Sequence, residues 1–157
     1  IDMEPLNIGD MAPNFSAEST LGTVESTDTL GHPFVIYFYP KDNTPGCTTE
    51  TGDFKDLHEQ FRQAGCYVAG VSRDTLKSHQ NFSQKLDLPF TLIADPDETV
   101  CTLFGVMKLK NMYGKQVRGI ERSTFLIDRS GKIAQIWRGV KVPGHAQAVL
   151  TALQNLA

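Results

Sequence analysis

The segment FVIYFY at residues 34–39 runs directly into PKDNTPGCTTE at residues 40–50. The first string is apolar throughout, which predicts a β-strand buried on both faces. The second leads into a helical pattern that contains Phe54 and Phe61, so Cys47 lies where a strand ends and a helix begins. Unpaired backbone N–H groups and the positive end of the helix dipole meet at such a junction, and both favour a thiolate over a thiol. We therefore predict that Cys47 is a nucleophile.

Strand and helix patterns alternate in the region that follows. The helix after Cys47 is predicted to run to Gln63 and to stop at Ala64–Gly65. The next elements are predicted as a strand at Cys66–Ser72, a helix capped by Asp74 or Thr75 that carries Leu76, His79, Phe82 and Leu86, a strand at Phe90–Ala94 and a short helix over about Thr99–Phe104. The order β-α-β-α-β-α predicts parallel strands joined by crossover helices.

The last third of the chain changes character. Strand patterns at Arg122–Ile127 and Lys132–Trp137 flank a short connection that contains Gly131, which predicts an antiparallel hairpin. An apolar stripe from Ala146 to Leu156 predicts a final helix. We predict one α/β domain over residues 1–157, with a thioredoxin-like fold in which a central mixed sheet carries helices on both faces.

Two other regions give weaker patterns. Residues 107–119 are polar and contain glycine, so they are predicted to form a surface loop. Near the start of the chain, residues 12–15 and 21–24 are predicted to be short strands with a turn at Gly22.

Composition limits the class of protein. The 157 residues carry a net charge of -3, with 21% charged and 40% hydrophobic residues, as in a soluble globular domain. There is no basic stripe for nucleic acid, and the apolar runs are too short to span a membrane. Residues 1–4 have neither the basic nor the long apolar region of a signal peptide. The three cysteines are too few and too scattered for a disulfide framework, so we expect a reducing, cytoplasmic setting.

We expect neither a metal nor an organic cofactor. The four histidines, His32, His58, His79 and His145, do not stand at ligand spacing from one another or from a cysteine. His58 and His79 fall on predicted helices and are expected at the surface or at the edge of the core. The sequence also has no glycine-rich phosphate loop and no dinucleotide fingerprint.

With these residues in view, the chain resembles the peroxiredoxin family, and within it the bacterioferritin comigratory protein or peroxiredoxin Q subgroup. The family pattern of Pro, three residues, Thr or Ser, two residues and Cys matches Pro40, Thr44 and Cys47. The longer string of the subgroup matches residues 38–48, and Arg122 fits the distant arginine of the family by its local context. The resemblance covers nearly the whole chain and is weakest before about residue 30.

The resemblance implies a thiol peroxidase. Its substrates would be hydrogen peroxide and small organic hydroperoxides, its cysteine would pass through a sulfenic acid, and thioredoxin or a similar dithiol would recycle it. Members of the subgroup are often monomers, and a monomer is expected here. Neither a nucleic acid nor a membrane is expected as a partner.

The resemblance also assigns roles to individual residues. Cys47 would attack the peroxide, while Arg122 would hold the thiolate and share a donor with the peroxide. The hydroxyl of Thr44 would accept one hydrogen bond and donate another, and the ring of Pro40 would shield the sulfur from water.

Two further residues are expected to support the site. The backbone N–H groups of Gly46 and Cys47 would add donors for the peroxide, with Cys47 the better candidate. Glu50 would orient Arg122 through an ion pair; as a carboxylate in a first helical turn, it would also fit there for the helix dipole alone.

A second, resolving cysteine is missing from both positions that the subgroup uses. One position is Gly52 and the other is Ser83. Either this protein works with one cysteine, or Ser83 is a substitution of a resolving cysteine; the near-isosteric exchange slightly favours a deliberate substitution. Cys66, which starts a buried strand pattern, and Cys101, in an apolar helical pattern, are expected to be inert thiols.

Two alternative functions remain open at this point. A thioredoxin-type disulfide reductase needs a Cys-x-x-Cys pair, and Glu50 stands where the second cysteine would be. A redox sensor or chaperone would use Cys47 as a switch, although no exposed apolar helix or tail in the sequence favours it.

Overall fold

The computed structural model describes residues 5–156. Residues 1–4, on which the expectation about a signal peptide depends, lie outside the described part. A seven-stranded sheet in the order β2-β1-β5-β4-β3-β8-β9 forms the centre of the molecule, and β6 and β7 form a separate two-stranded sheet. The strands are β1 Ser16–Ser19, β2 Gly22–Glu25, β3 Phe34–Phe38, β4 Tyr67–Ser72, β5 Thr91–Ala94, β6 Met107–Met112, β7 Lys115–Ile120, β8 Ser123–Ile127 and β9 Ile133–Arg138.

The central sheet is mixed, as predicted. Strands β3, β4 and β5 are parallel, whereas β8 pairs antiparallel with β3, and β1 pairs antiparallel with β5. All five residues of β3 are buried because the strand lies in the middle of the sheet with both faces covered. The predicted hairpin near the C-terminus is confirmed as β8 and β9, with an irregular register between Leu126 and Ile127.

Four α-helices cover the two faces of this sheet. They are α1 Pro45–Gln63, α2 Leu76–Leu86, α3 Thr99–Leu103 and α4 His145–Gln154. One core contains Val35, Tyr37 and Leu92 from the sheet together with apolar residues of α1, α2 and α4. The other core contains Ile36 and Phe38 with residues of α3 and the N-terminal segment. The thioredoxin-like α/β fold predicted from the sequence is therefore confirmed.

The prediction of a loop over residues 107–119 is wrong. Strands β6 and β7 form a regular antiparallel ribbon there, and Tyr113 and Gly114 make its turn with positive φ angles of 54° and 77°. Most residues of this ribbon are exposed on both faces, so its sequence lacks the alternation of apolar and polar residues that marks a half-buried strand.

The first predicted strand is also misplaced. Strand β1 begins at Ser16 rather than within residues 12–15, and only Met11 in that neighbourhood makes an isolated bridge, to Lys132. Pro13 cannot donate a backbone hydrogen bond, which disfavours a regular ladder at this point. Among residues 5–156, no helix is both long enough and apolar enough to cross a membrane.

Candidate active site

Cys47 lies in the first turn of α1, which begins just beyond the buried strand β3. Pro45 is the first residue of the helix, where its missing N–H costs no hydrogen bond. The side chain of Thr44, the N-cap, makes no capping bond to the helix, and Thr48 N donates to Thr44 O at 2.9 Å as the helix starts. The N–H groups before Thr48 therefore have no acceptor within the helix. Cys47 itself is only 1% exposed.

Sheet register brings Arg122 to this helix start. Phe38, the last residue of β3, pairs with Ser123, the first residue of β8, so Arg122 stands beside the segment that leaves β3. Arg122 Nη2 donates to Cys47 Sγ at 3.4 Å, and Arg122 Nη1 donates to Glu50 Oε1 at 2.6 Å. The two nitrogens of one guanidinium thus bridge the sulfur and the carboxylate of α1.

The charges in this group are strongly coupled. Burial raises the pKa of Glu50 to about 7, and the charge and hydrogen bond of Arg122 oppose that rise. Burial acts to lower the pKa of Arg122, yet Glu50 and Cys47 hold the pKa of Arg122 above its usual value. Oε2 of Glu50 is buried and has no hydrogen-bond partner in residues 5–156. The guanidinium therefore stays charged beside the sulfur, and its carboxylate partner is destabilised by burial.

Three other predicted residues lie on the segment that ends at Cys47. Thr44 Oγ1 donates to Lys41 O at 2.8 Å, so its proton is already used and its oxygen is left as an acceptor. Pro40 is half-buried at the exit of β3. A Cβ added to Gly46 would lie 3.3 Å from Arg122 Nη2, which shows how closely this backbone approaches the guanidinium.

Ser83 lies on α2 and is half-buried, and its backbone oxygen accepts from the N–H groups of Asp87 and Leu88 as the helix ends.

Cys66 and Cys101, the two cysteines besides Cys47, are free and buried. Burial raises the pKa of Cys66 to about 12, and burial together with Asp95 raises the pKa of Cys101 as well. Both remain thiols at neutral pH, so neither has the thiolate form that a resolving nucleophile needs.

A second cluster of polar side chains lies near the segment between β3 and α1, and the sequence patterns predict no role for it. Asp42, Asp74 and His79 bring their side chains together, and their composition could suit a metal ion. Both ring nitrogens of His79 and both carboxylate oxygens of Asp42 already make hydrogen bonds within the protein, so we assign no ion to this group. His79 is fully buried, and the prediction that places it at the surface or core edge is wrong. Its hydrogen-bond partners, Asp42 and Ile93, are distant in the sequence. The pattern of residues along α2 alone therefore does not predict its burial.

A cleft at the surface of the protein lies away from this group. It has a volume of about 510 Å³, is lined by His58, Arg62, Cys66 and Tyr67 among others, and does not include Cys47.

The chain is similar to known proteins of one family. The family described as AhpC/TSA matches residues 8–136. Peroxiredoxin Bcp of Xanthomonas campestris pv. campestris is 60% identical over 124 residues, which are 79% of this chain and 78% of that protein. A structure of the X. campestris bacterioferritin comigratory protein, solved to study its alkyl peroxide reduction activity, is 53% identical with a TM-score of 0.85 and covers 89% of this chain and 90% of that one.

Two mutant structures of X. campestris peroxiredoxin Q also match. Each has one cysteine replaced by serine. The first is 53% identical with a TM-score of 0.87, over 91% of this chain and 92% of that one. The second is 52% identical with a TM-score of 0.86, over 89% of both chains.

Proposed function

The chain belongs to the AhpC/TSA family and is a peroxidase of the peroxiredoxin Bcp or Q type, and from this we propose that Cys47, Arg122, Thr44 and Pro40 form its catalytic site. The substrates proposed are hydrogen peroxide and small organic hydroperoxides, in keeping with the alkyl peroxide reduction studied in the X. campestris relative. The observation that supports the proposal most directly is the hydrogen bond from the guanidinium of Arg122, just before β8, to Cys47 Sγ at 3.4 Å, between residues 75 positions apart in the sequence.

The first step is a displacement at oxygen. The Cys47 thiolate attacks one peroxide oxygen, an S–O bond forms and the O–O bond breaks. The other oxygen leaves as hydroxide or alkoxide and takes up a proton, while the sulfur becomes a sulfenic acid and is oxidised by two electrons. Negative charge moves from sulfur to oxygen in this step, so fixed donors along that path lower the barrier.

The site has the donors and the acceptor that this path needs. Arg122 Nη2 donates to the sulfur, and the N–H groups of Gly46 and Cys47, which have no acceptor within the helix, are proposed as further donors to the peroxide. Because Thr44 Oγ1 donates its own proton to Lys41 O, we propose that it accepts the O–H of the peroxide and so aligns the O–O bond with the sulfur. Pro40, which has no N–H, is proposed to shield the sulfur without competing for the peroxide.

Recycling of the sulfenic acid is proposed to use an external dithiol, thioredoxin or a similar protein. Cys66 and Cys101 are buried thiols with raised pKa values, so they are poor resolving partners. In the X. campestris mutants, the two replaced cysteines stand as far apart along the sequence as Cys47 and Ser83 do here. We infer that Ser83 occupies the resolving position and that this chain, with serine there, runs a one-cysteine cycle.

The test is peroxide consumption in the presence of a thioredoxin system. Cys47→Ser is expected to abolish turnover, and Cys66→Ser is the matched control that leaves turnover unchanged. Ser83→Cys is expected to form a disulfide with Cys47 after one equivalent of peroxide, visible by mass spectrometry. Full activity in Cys47→Ser would overturn the assignment of the nucleophile. A protein that consumes one equivalent of peroxide and then stops would instead be a sensor.

The assembly and location proposed are a monomer in a reducing compartment. Three free cysteines, none in a disulfide, are compatible with such a compartment. Light scattering of the reduced and oxidised protein would test the monomer, and a larger mass in either state would contradict it.

A further inference from the structure

Asp42 is the most completely hydrogen-bonded residue of the segment between β3 and α1. Its backbone N donates to Asp74 Oδ2 at 2.9 Å. Its Oδ1 accepts from the hydroxyl of Tyr39 at 2.6 Å, and its Oδ2 accepts from the hydroxyl of Ser78 at 2.8 Å. The same Oδ2 lies 2.7 Å from Nδ1 of His79. The carboxylate therefore joins α2 to Tyr39, the residue that follows β3.

The hydrogen bonds of His79 determine its charge. Nε2 lies 2.9 Å from the backbone oxygen of Ile93, which can only accept, so Nε2 must carry a proton. Nδ1 lies 2.7 Å from the carboxylate of Asp42, which also accepts when ionised. A neutral imidazole has one N–H only and would leave one of these pairs with two facing lone pairs. The doubly protonated imidazolium satisfies both.

The groups that face His79 favour this charge. Asp42 faces its Nδ1, and Asp74 lies in the same cluster. The hydroxyl of Tyr39, the residue after β3, lies 3.4 Å from Nδ1 and stays neutral, since burial raises the pKa of its phenol well above the usual value. Burial acts to raise the pKa of Asp42, yet hydrogen bonds from His79 and Tyr39 hold it below its usual value. Negative charge is thus concentrated beside an imidazole that is fully buried.

We propose that His79 is a buried imidazolium whose ion pair with Asp42 is a positioning device for the peroxide-reducing site. The expected effect on the peroxide rate rests on the proposed function. The charge of His79 does not depend on it. His79 and Asp42 do not touch the reacting atoms. They act through the backbone of the segment that sets where Thr44 and Cys47 stand.

The path from the ion pair to the site is short. Asp42 lies between Pro40 and Thr44, and Asn43 after it adopts a left-handed conformation with φ of +64°. Thr44 is then the N-cap residue of α1 and precedes the turn that carries Cys47. On the other side, His79 lies on α2 one helical turn before Ser83. The ion pair therefore links the segment between β3 and α1 to α2, the helix that carries Ser83.

The charge is tested directly by NMR of the wild-type protein labelled with ¹⁵N at histidine. At neutral pH, His79 is expected to show protons on both ring nitrogens that exchange slowly with solvent, because the ring is buried. An unprotonated ring nitrogen in this spectrum would overturn the proposal. The measurement does not depend on peroxidase activity, so it stands even if the proposed function fails.

The positioning effect is tested with Asp42→Asn and Tyr39→Phe. Asp42→Asn removes the counter-ion and should convert His79 to a neutral ring. Since a displacement of about 1 Å can lower an enzymatic rate by about a hundredfold, we expect a tenfold to hundredfold loss in the rate constant for hydrogen peroxide. Tyr39→Phe preserves shape and removes one donor only, so it should give a smaller loss. His58→Gln, a half-buried histidine of α1, is the control that leaves the rate unchanged.

Alkylation of Cys47 gives a second measurement of the positioning effect. The rate at which a small alkylating reagent modifies Cys47 should change in the same order of variants, which reports the position of the sulfur without any peroxide. A folded Asp42→Asn protein that loses the imidazolium signal but keeps the wild-type peroxide rate would overturn the positioning role. If Asp42→Asn does not fold, the Tyr39→Phe rate decides: a wild-type value contradicts the proposal.

Discussion

Nη1 of Arg122 lies 2.6 Å from Oε1 of Glu50, while the second oxygen of that carboxylate is buried without a partner in residues 5–156. A buried carboxylate with one free oxygen is costly, and it stays in place because the guanidinium beside it also holds Cys47 Sγ. We therefore propose that the carboxylate fixes the direction of Arg122 rather than contributing much net stability. This relationship leads to the first two predictions.

Replacing Glu50 should lower the rate of peroxide reduction by an amount that depends on the side chain introduced. Glu50→Gln keeps an oxygen that can accept from Arg122, so we expect a loss of about tenfold, whereas Glu50→Ala frees the guanidinium and should cost about a hundredfold. Stopped-flow measurement of the second-order rate constant for hydrogen peroxide distinguishes them. Equal rates in wild type and Glu50→Ala would show that Glu50 does not orient Arg122.

Glu50 should also make the protein less stable as the pH rises. Its pKa is about 7 in the folded protein and 4.5 in the reference state, so between these values the folded state binds more protons than the unfolded state. The free energy of unfolding therefore falls as the pH increases from about 4.5 to 7, by about 3 kcal/mol in total. Urea unfolding of wild type and Glu50→Gln at several pH values measures this. Parallel pH profiles for the two proteins would contradict it.

His145 gives the opposite slope and provides a control for that experiment. Its Nε2 lies 2.8 Å from Thr124 Oγ1, and burial, assisted by the charge of Arg122, lowers the pKa of His145 to about 4. The unfolded state takes up a proton near pH 6.5 and the folded state only near pH 4, so stability is lost as the pH falls through this window. His145→Gln should remove this loss and leave the slope that is due to Glu50.

Sequence patterns predicted the buried strand β3 and the helix start that carries Cys47, since both depend on local signals. Residues close together in the sequence are enough to predict the apolar strand β3 and the helix start at Pro45. Arg122, far along the chain, was found only through resemblance to a family, because no local pattern links it to Cys47. The pairing of Phe38 with Ser123 brings the two together, and strand register of this kind is a property of the whole sheet.

His79 and the ribbon of β6 and β7 show why other features escaped prediction. A histidine on a helix is usually exposed, and only the positions of Asp42 and the Ile93 oxygen explain its complete burial. The ribbon over residues 107–120 is held by pairing between its own strands rather than by burial of one face. It therefore leaves no alternation in the sequence for a period-two pattern to detect.

Any side chain larger than that of Gly70 is predicted to destabilise the core. A Cβ on this residue of β4 would lie 2.7 Å from Tyr37 Cζ and 2.9 Å from Leu92 Cδ2, inside the core. Gly70→Ala should lower the free energy of unfolding by about 1–3 kcal/mol, the usual effect of overpacking. Gly119→Ala, in a strand where an added Cβ meets nothing within 4 Å, is the matched control and should change stability little. Equal denaturation midpoints for the two variants would contradict the prediction.

Gly46 is predicted to matter for the reaction and not for stability. An added Cβ would lie 3.3 Å from Arg122 Nη2, the atom that reaches Cys47 Sγ, so Gly46→Ala should displace the guanidinium by a few tenths of an ångström. Alanine also favours a helix over glycine by about 0.5–1 kcal/mol, which offsets the cost of this contact. We expect the peroxide rate to fall about tenfold while the unfolding midpoint stays near that of wild type.

Gly52→Ala is the control for that substitution, because Gly52 lies in the same helix and an added Cβ there meets nothing within 4 Å. It should raise the unfolding midpoint and leave the peroxide rate unchanged. A Gly46→Ala protein with the wild-type rate would mean that Arg122 can shift without losing the geometry needed for reaction. In that case the distance between Arg122 and Cys47, rather than the exact direction of the guanidinium, would account for its effect on the sulfur.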